Sequence, residues 1–195
     1  MIIMKPTELD LQYIELIREH LKPARFEHSM NVAKCAVELA KKYGADEKKA
    51  YTAGILHDIM KNAVPEEQLK WIEKSGVTLT KAEQGNFKLW HAMAGEAYMK
   101  LKLGIDDEDL LNAVRYHTTA RADMTVLEKV IYIADYISEE RDYDGVDEMR
   151  ALAEKSLEDA MFMGLQFSIT ELAENGFVIH LDSVNAYNEI VINKK

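Results

Sequence analysis

Apolar residues recur at spacings of three and four positions along most of the chain, a pattern typical of amphipathic helices. This spacing predicts helices over about 7–21, 25–43, 46–58, 65–76, 88–103, 110–117, 126–139, 147–174 and 183–195. Gly164 is a candidate break within the eighth of them. We therefore expect a protein built from helices.

The predicted helix ends carry residues that satisfy unpaired backbone groups. Thr80 with Glu83, and Thr125 with Glu128, have the spacing of a capping box, in which each side chain bonds the other residue's backbone amide. The remaining signals are Gly44 after the second helix, Asp46 before the third, Pro65 in the fourth, Asp106 or Asp107 before the sixth, and Asp182 or Ser183 before the last.

Composition supports the same fold class. The chain is 48% hydrophobic, contains only three prolines and is rich in good helix formers. No Pro-, Gly- or Ser-rich stretch divides its 195 residues, and this length suits one well-buried core. The sequence therefore predicts an all-α helical bundle that forms a single domain over residues 1–195.

The net charge of −10 argues against a DNA or RNA partner, because such partners are bound largely through Lys and Arg. The first residues contain too short an apolar run for a signal peptide, and no stretch approaches the ~18 apolar residues of a membrane span. We expect a cytoplasmic protein with no membrane segment. Cys35, the only cysteine, falls at a core-like position where a buried, unreactive thiol is expected.

The adjacent pair His57-Asp58 is the strongest chemical signal. It follows Ala50, Ala53 and Gly54 on one predicted helix face, where small neighbours leave room for an ion. Four further candidate ligands occupy separate segments: His28, His91, His117 and Asp135. A single histidine on an apolar face is usually a core residue, but a carboxylate among apolar residues needs a partner. Six such groups predict a two-metal site, for which Mn, Zn and Fe are equally suitable.

These residues carry a resemblance to the HD-domain metal-dependent phosphohydrolases. The signature of that family is a lone His, an adjacent His-Asp pair and a distal Asp, and two intervening histidines mark its binuclear members. The resemblance is closer to one branch, the YqeK-type symmetrical bis(5′-nucleosyl)-tetraphosphatases. The stretches that carry it are 25–29, 54–61, 116–119 and 133–142, which read RFEHS, GILHDIMK, YHTT and IADYISEERD.

The resemblance implies a metal-binding core over about 25–142, with packing helices over about 147–195. It implies that His28, His57, Asp58 and Asp135 hold one ion and that His91 and His117 hold a second, with Asp58 bridging. It also implies iron and a small nucleotide substrate. The expected reaction is the hydrolysis of diadenosine tetraphosphate to two ADP by attack of a metal-bridging hydroxide on phosphorus.

Phosphate binding requires cations besides the metals. Lys61 follows His57 by one helical turn, which predicts the same face, and Arg25 and Arg141 flank the ligand segments. We expect these three residues and Asp58 to be catalytic. Surface ion pairing is the alternative for Arg25 and Arg141, and a solvated position at a helix end is the alternative for Lys61. Thr118 and Arg121 are weaker substrate-binding candidates. His20 and His180 are expected to be structural, and no base-binding residue is identifiable.

Other functions are compatible with the same residues. They serve equally well for a nucleotidase or a cyclic-nucleotide phosphodiesterase, and a di-iron oxygenase on the same scaffold is a redox alternative. The chain could also be a nucleotide-binding regulator with structural metals and no turnover. The sequence leaves the oligomeric state open, a homodimer included.

Overall fold

The computed structural model describes residues 6–194, and within that range it contains helices and no β-strand. Segment 1–5, on which the signal-peptide expectation rested, lies outside the described residues. The helices are α1 (Glu8–His20), α2 (Pro23–Tyr43), α3 (Glu47–Leu56), α4 (Pro65–Lys74), α5 (Lys81–Gln84), α6 (Trp90–Lys102), α7 (Glu108–Arg115), α8 (Val126–Ile137), α9 (Val146–Ala153), α10 (Leu157–Glu174) and α11 (Leu181–Asn193). The predicted all-α fold is confirmed.

Buried apolar residues from every helix except α5 form one continuous core. α2 lies near its centre, packed against α3 on one side and α8 on another. Gly54 of α3 permits this packing, because a Cβ atom there would lie 2.5 Å from the Cα of Ala33. No helix among the described residues is long and apolar enough to span a membrane.

Several predicted caps are present. Asp46 accepts from the amides of Lys48 and Lys49 at the start of α3, and Asp107 caps α7. Gly44 ends α2 in the left-handed conformation that glycine adopts without strain. The Thr80 and Glu83 capping box forms in full.

The second predicted capping box forms only in part. Thr125 accepts from the amide of Glu128, but the Glu128 carboxylate binds Arg121 instead of the backbone. The last helix is capped by His180, whose ring accepts from the amide of Asp182, and neither Asp182 nor Ser183 takes this role. The predicted helix over 88–103 begins at Trp90, after a short 3-10 turn over Phe87–Leu89.

Two helix interiors also differ from the prediction. Gly164 lies inside α10, and the break falls instead between Ala153 and Leu157. This glycine serves close packing, since a Cβ atom there would lie 3.3 Å from the Tyr132 ring. The pair His57-Asp58 does not lie within a helix, because α3 ends at Leu56 and a turn follows.

Candidate metal centre

The six predicted ligands come together although they lie on five separate segments. His28 lies in the second turn of α2 and His91 in the first turn of α6. Asp135 lies in the last turn of α8. His57-Asp58 and His117 lie in the turns that follow α3 and α7. His28, His57, Asp58, His91 and His117 are buried.

Each histidine ring is oriented by a hydrogen bond from its Nδ1 atom. In His57, His91 and His117 this atom donates to the backbone carbonyl three residues earlier, at 2.7 Å in each case. In His28 it faces the carboxylate of Glu140. Because carbonyl and carboxylate oxygens only accept here, a proton lies on each Nδ1, and each Nε2 faces the centre, where its lone pair can bind a cation.

The hydrogen bond of His57 also explains the end of α3. Its ring donates to the carbonyl of Gly54. In a continuing α-helix, that carbonyl would instead accept from the amide of Asp58. Hydrogen bonds with a spacing of three residues follow, from the amide of Ile59 to the carbonyl of Leu56 and from the amide of Lys61 to the carbonyl of Asp58. This turn directs both His57 and Asp58 towards the other ligands.

The two carboxylate oxygens of Asp58 face different histidines. Oδ2 lies 3.5 Å from His57 Nε2 and 3.9 Å from His28 Nε2. Oδ1 lies 3.2 Å from His91 Nε2 and 3.6 Å from His117 Nε2. We call the first group, together with Asp135, the Oδ2 half-site, and the second group the Oδ1 half-site.

The Oδ2 half-site is completed by α8. Oδ1 of Asp135 lies 3.0 Å from His28 Nε2, and the Nε2 atoms of His28 and His57 are 3.3 Å apart. In the Oδ1 half-site the Nε2 atoms of His91 and His117 are 3.2 Å apart. The Oδ1 half-site therefore contains two imidazole nitrogens and one carboxylate oxygen, and the Oδ2 half-site contains two imidazole nitrogens and two carboxylate oxygens.

Protonation states favour cation binding. Burial lowers the pKa of His91 to about 4, although Asp58 acts in the opposite direction, so the ring is neutral at pH 7. Burial alone would raise the pKa of Asp58, but His57, His117 and His91 hold it well below its ordinary value. The pKa of Asp135 is likewise lowered, because the effects of His28, His57 and Arg141 exceed that of burial.

This arrangement fits metal ions. Imidazole nitrogens and ionised oxygens about 3 Å apart repel unless a proton or a metal cation lies between them. Oδ1 of Asp58 is buried and, within the described part of the chain, has no hydrogen-bond partner. Imidazole and carboxylate together suit first-row divalent metals.

Three of the predicted cations lie at the edge of the centre. Arg25 donates to Asp58 Oδ2 at 2.8 Å, and Lys61 Nζ lies 3.8 Å from Asp58 Oδ1 and 3.1 Å from His91 Nε2. Arg141 donates to the Asp135 carboxylate at 2.5 Å and to its carbonyl at 2.7 Å. The side chains of Arg25, Lys61 and Arg141 are each about one third exposed, so an incoming anion can reach them.

The two weaker candidates have different surroundings. Thr118 follows His117 directly, and its hydroxyl is buried without a hydrogen-bond partner among the described residues. Arg121 makes two hydrogen bonds to Glu128, at 2.6 and 2.8 Å, and a third to the Ala122 carbonyl. Those contacts give Arg121 a structural role, and its binding of substrate stays a prediction.

Sequence reasoning missed Glu140. Its carboxylate contacts His28, Asn31 and Ser138, and 112 positions separate it from His28. Burial acts to raise the pKa of Glu140, but hydrogen bonds from His28 and Ser138 lower it to about 2. A glutamate after a helix end carries no signal of this role, because the contact exists only once α2 and α8 are packed.

His20, His180 and Cys35 have the structural surroundings expected of them. His20 donates from Nδ1 to the carbonyl of Leu16 near the end of α1, as predicted. His180 caps α11. Burial raises the pKa of Cys35 to about 12, which leaves its thiol protonated and unreactive.

Comparison with known proteins identifies the family of this chain. Residues 25–140 match the HD domain family, a range that contains all six predicted ligands. The chain belongs to the HD family. This HD-domain protein is also similar in structure to a crystal structure from Clostridium acetobutylicum, named as a predicted HD superfamily hydrolase involved in NAD metabolism. The TM-score is 0.91 at 36% identity, and the match covers 98% of this chain and 100% of the other.

Two curated relatives of this HD-domain protein are named symmetrical bis(5′-nucleosyl)-tetraphosphatase. The protein from Bacillus subtilis is 39% identical over 90% of this chain and 94% of its own length. The protein from Staphylococcus aureus is 33% identical over 89% of this chain and 91% of its own length. The family resemblance drawn from the sequence is therefore confirmed.

Proposed function

We propose that this HD-domain protein is a metal-dependent hydrolase that cleaves dinucleoside tetraphosphates symmetrically into two nucleoside diphosphates. The names of its full-length relatives support this reaction. The observation that carries the chemistry is Asp58, whose two oxygens face two separate pairs of histidine nitrogens. A carboxylate placed in this way can bridge two cations.

Two ions are proposed, one in each half-site. His28, His57 and Asp135 would hold the first ion with Asp58 Oδ2, and His91 and His117 would hold the second with Asp58 Oδ1. When bound, the cations supply Lewis acidity, a lowered pKa for water and neutralisation of phosphate charge. Iron is the proposed metal on the sequence resemblance, and the ligand set accommodates Mn or Zn equally well.

The protein's own cations bind the polyphosphate. Arg25, Lys61 and Arg141 are now paired with Asp58, His91 and Asp135. Metal ions in the half-sites would neutralise the carboxylates of Asp58 and Asp135 and bind His91. The three cations would then be free for phosphate oxygens. Arg25 and Arg141 can each offer two parallel N–H donors, while Lys61 offers a compact charge. Thr118, which follows His117 and whose buried hydroxyl has no hydrogen-bond partner among the described residues, is an additional proposed donor.

Product analysis tests the reaction directly. Metal-replete protein is incubated with diadenosine tetraphosphate, and the products are separated by ion-exchange chromatography. ADP as the only nucleotide product is expected. ATP with AMP would contradict symmetrical cleavage, and rapid turnover of a mononucleotide without turnover of the tetraphosphate would support a nucleotidase.

The same assay distinguishes an enzyme from a nucleotide-binding regulator. Tight binding of the tetraphosphate without hydrolysis by the metal-replete protein would contradict the proposed activity. Consumption of oxygen with an alcohol substrate would instead support a di-iron oxygenase. The cations beside the centre favour an anionic substrate over that alternative.

A further inference from the structure

The two half-sites are supported by different parts of the chain. In the Oδ2 half-site, His28 is the only one of the four ligand histidines whose Nδ1 faces a carboxylate, that of Glu140. Glu140 is itself fixed, since it accepts from the Ser138 hydroxyl at 2.8 Å and from the Asn31 amide at 2.9 Å. A fixed carboxylate behind a histidine both orients the ring and strengthens its Nε2 as a ligand.

Residues of α11 and of its cap contact the segments that carry the two histidines of the Oδ1 half-site. The turn that carries His117 continues to Ala120, which adopts a left-handed conformation with φ of 55°. Such a conformation is costly for alanine and persists only where surrounding contacts hold it. One such contact is a buried hydrogen bond of 2.7 Å from the Ser183 hydroxyl to the carbonyl of Thr119.

A second contact ties α11 to the start of α6, where His91 lies. His180, which caps α11, lies 3.5 Å from the carboxylate of Glu83. The carbonyl of Glu83 accepts from the indole of Trp90 at 2.7 Å, and Trp90 directly precedes His91. Both histidines of the Oδ1 half-site are thus linked to α11, which lies outside the 25–140 range that matches the HD family.

We infer that Glu140 and Ser183 are positioning residues, each acting on the metal affinity of one half-site. Glu140 positions His28 and thereby sets the affinity of the Oδ2 half-site. Ser183 positions the His117 turn and thereby sets the affinity of the Oδ1 half-site. This inference rests on the proposed two-ion centre, and it assigns a role in metal binding to a C-terminal helix that otherwise only packs.

Stepwise metal titration of the metal-free protein tests the inference, with Mn²⁺ as the probe and calorimetry as the readout. Reference variants His28→Ala and His117→Ala identify which binding step belongs to which half-site. Glu140→Ala is expected to weaken the Oδ2 step by about 10- to 100-fold, the usual effect of losing such a partner, and to leave the Oδ1 step unchanged. Glu140→Gln, which keeps an acceptor oxygen, should lose less.

Ser183→Ala is expected to affect the other half-site. It should weaken the Oδ1 step by about fivefold, the worth of one hydrogen bond in an equilibrium constant, and leave the Oδ2 step unchanged. Each variant is therefore the control for the other. Equal weakening of both steps in either variant, or no change in either step, would overturn the inference.

Failure of the proposed centre gives a different result. If the wild-type protein binds a single Mn²⁺ ion or none, the two-ion proposal is wrong and the inference is overturned together with it. Two steps in the wild type, with variants that do not discriminate between them, would overturn only the inference. Circular dichroism of each metal-free variant verifies that its helices are intact.

Discussion

Asp58 is the residue on which the centre depends, because it alone belongs to both half-sites. Its carboxylate is buried, ionised and surrounded by imidazole nitrogens and by the Arg25 guanidinium. A buried charge of this kind is costly unless it is paired. Cation binding by this carboxylate, as proposed, would explain its presence among small apolar residues.

Asp58→Ala is expected to abolish metal retention and to lower kcat on the order of a thousandfold, since metal ions supply several kcal/mol of transition-state stabilisation. Elemental analysis and steady-state kinetics measure the two effects. Asp106→Ala, at an exposed aspartate, is the matched control and should change neither. Full activity of the Asp58 variant would contradict the bridging role.

The lowered pKa of His91 leads to a prediction of how the stability of the metal-free protein depends on pH. Burial lowers the pKa of His91 from 6.5 to about 4, so between these values the unfolded chain binds a proton that the folded chain does not. The free energy of unfolding should therefore be highest above about pH 6.5 and fall by about 3 kcal/mol as the pH approaches 4, at about 1.4 kcal/mol per pKa unit.

Urea denaturation of metal-free protein at a series of pH values measures this slope. The variant His91→Gln lacks the titrating group and should show a smaller loss over the same range. An equal loss in both proteins would contradict the assignment of the slope to His91.

At the residue scale, the convergence of the six candidate ligands could be predicted from the sequence, and the residues that orient them could not. His57, Asp58 and Asp135 combine metal-binding chemistry with apolar or small neighbours in the sequence, whereas His28, His91 and His117 were assigned through the family resemblance. Helical spacing predicted that Lys61 lies on the same face as His57. Lys61 does lie at the centre, but the residues between them form a turn and not a helix. Glu140 is paired across 112 positions, and no local pattern contains that contact.

Among the elements, α2 and α3 fix the distance between His28 and His57. Gly54 allows the backbones to approach, because any side chain there would meet the backbone of Ala33. Sequence periodicity identified both helices and the small-residue face. It could not distinguish a glycine needed for packing from one that breaks a helix, and Gly164 was misjudged for that reason.

Gly54→Ala is expected to lower the free energy of unfolding by about 1–3 kcal/mol or more, because α2 and α3 must separate. Metal affinity of the Oδ2 half-site should fall as well. The control is Gly85→Ala, where a Cβ atom meets no atom closer than 3.5 Å. Denaturation and metal titration measure both effects, and a Gly54 variant as stable as the control would contradict the packing account.

Arg121 and Glu128 connect the turn after α7 to α8. Glu128 is fully buried, and removing its partner would leave a buried carboxylate unpaired. Arg121→Gln is therefore expected to cost about 3 kcal/mol of stability with little change in KM. Unchanged stability together with a raised KM would instead support the predicted binding of substrate by Arg121.

At the scale of the whole molecule, the centre joins segments from position 28 to position 135 and so connects α2, α3, α6, α7 and α8. A ligand that binds only the folded state stabilises it by mass action. The all-α architecture was predictable from periodicity. The burial of the centre was not, because it arises from the packing of all five helices around it.

Removal of metal should therefore destabilise the entire fold. At a free metal concentration about a thousand times the Kd, bound metal contributes about 4 kcal/mol, which corresponds to roughly 10 °C in Tm for a chain of this size. Scanning calorimetry with and without a chelator measures the difference. Asp58→Ala should be insensitive to the chelator, and a wild-type Tm that does not respond to it would contradict the coupling.

The most direct test of the centre is an anomalous-scattering map of crystals grown with Mn²⁺. Two peaks about 3.5–4 Å apart are predicted, one bound by Asp58 Oδ2 with His28 and His57, the other by Asp58 Oδ1 with His91 and His117. A single peak, or peaks that do not share Asp58, would contradict the proposed binuclear centre.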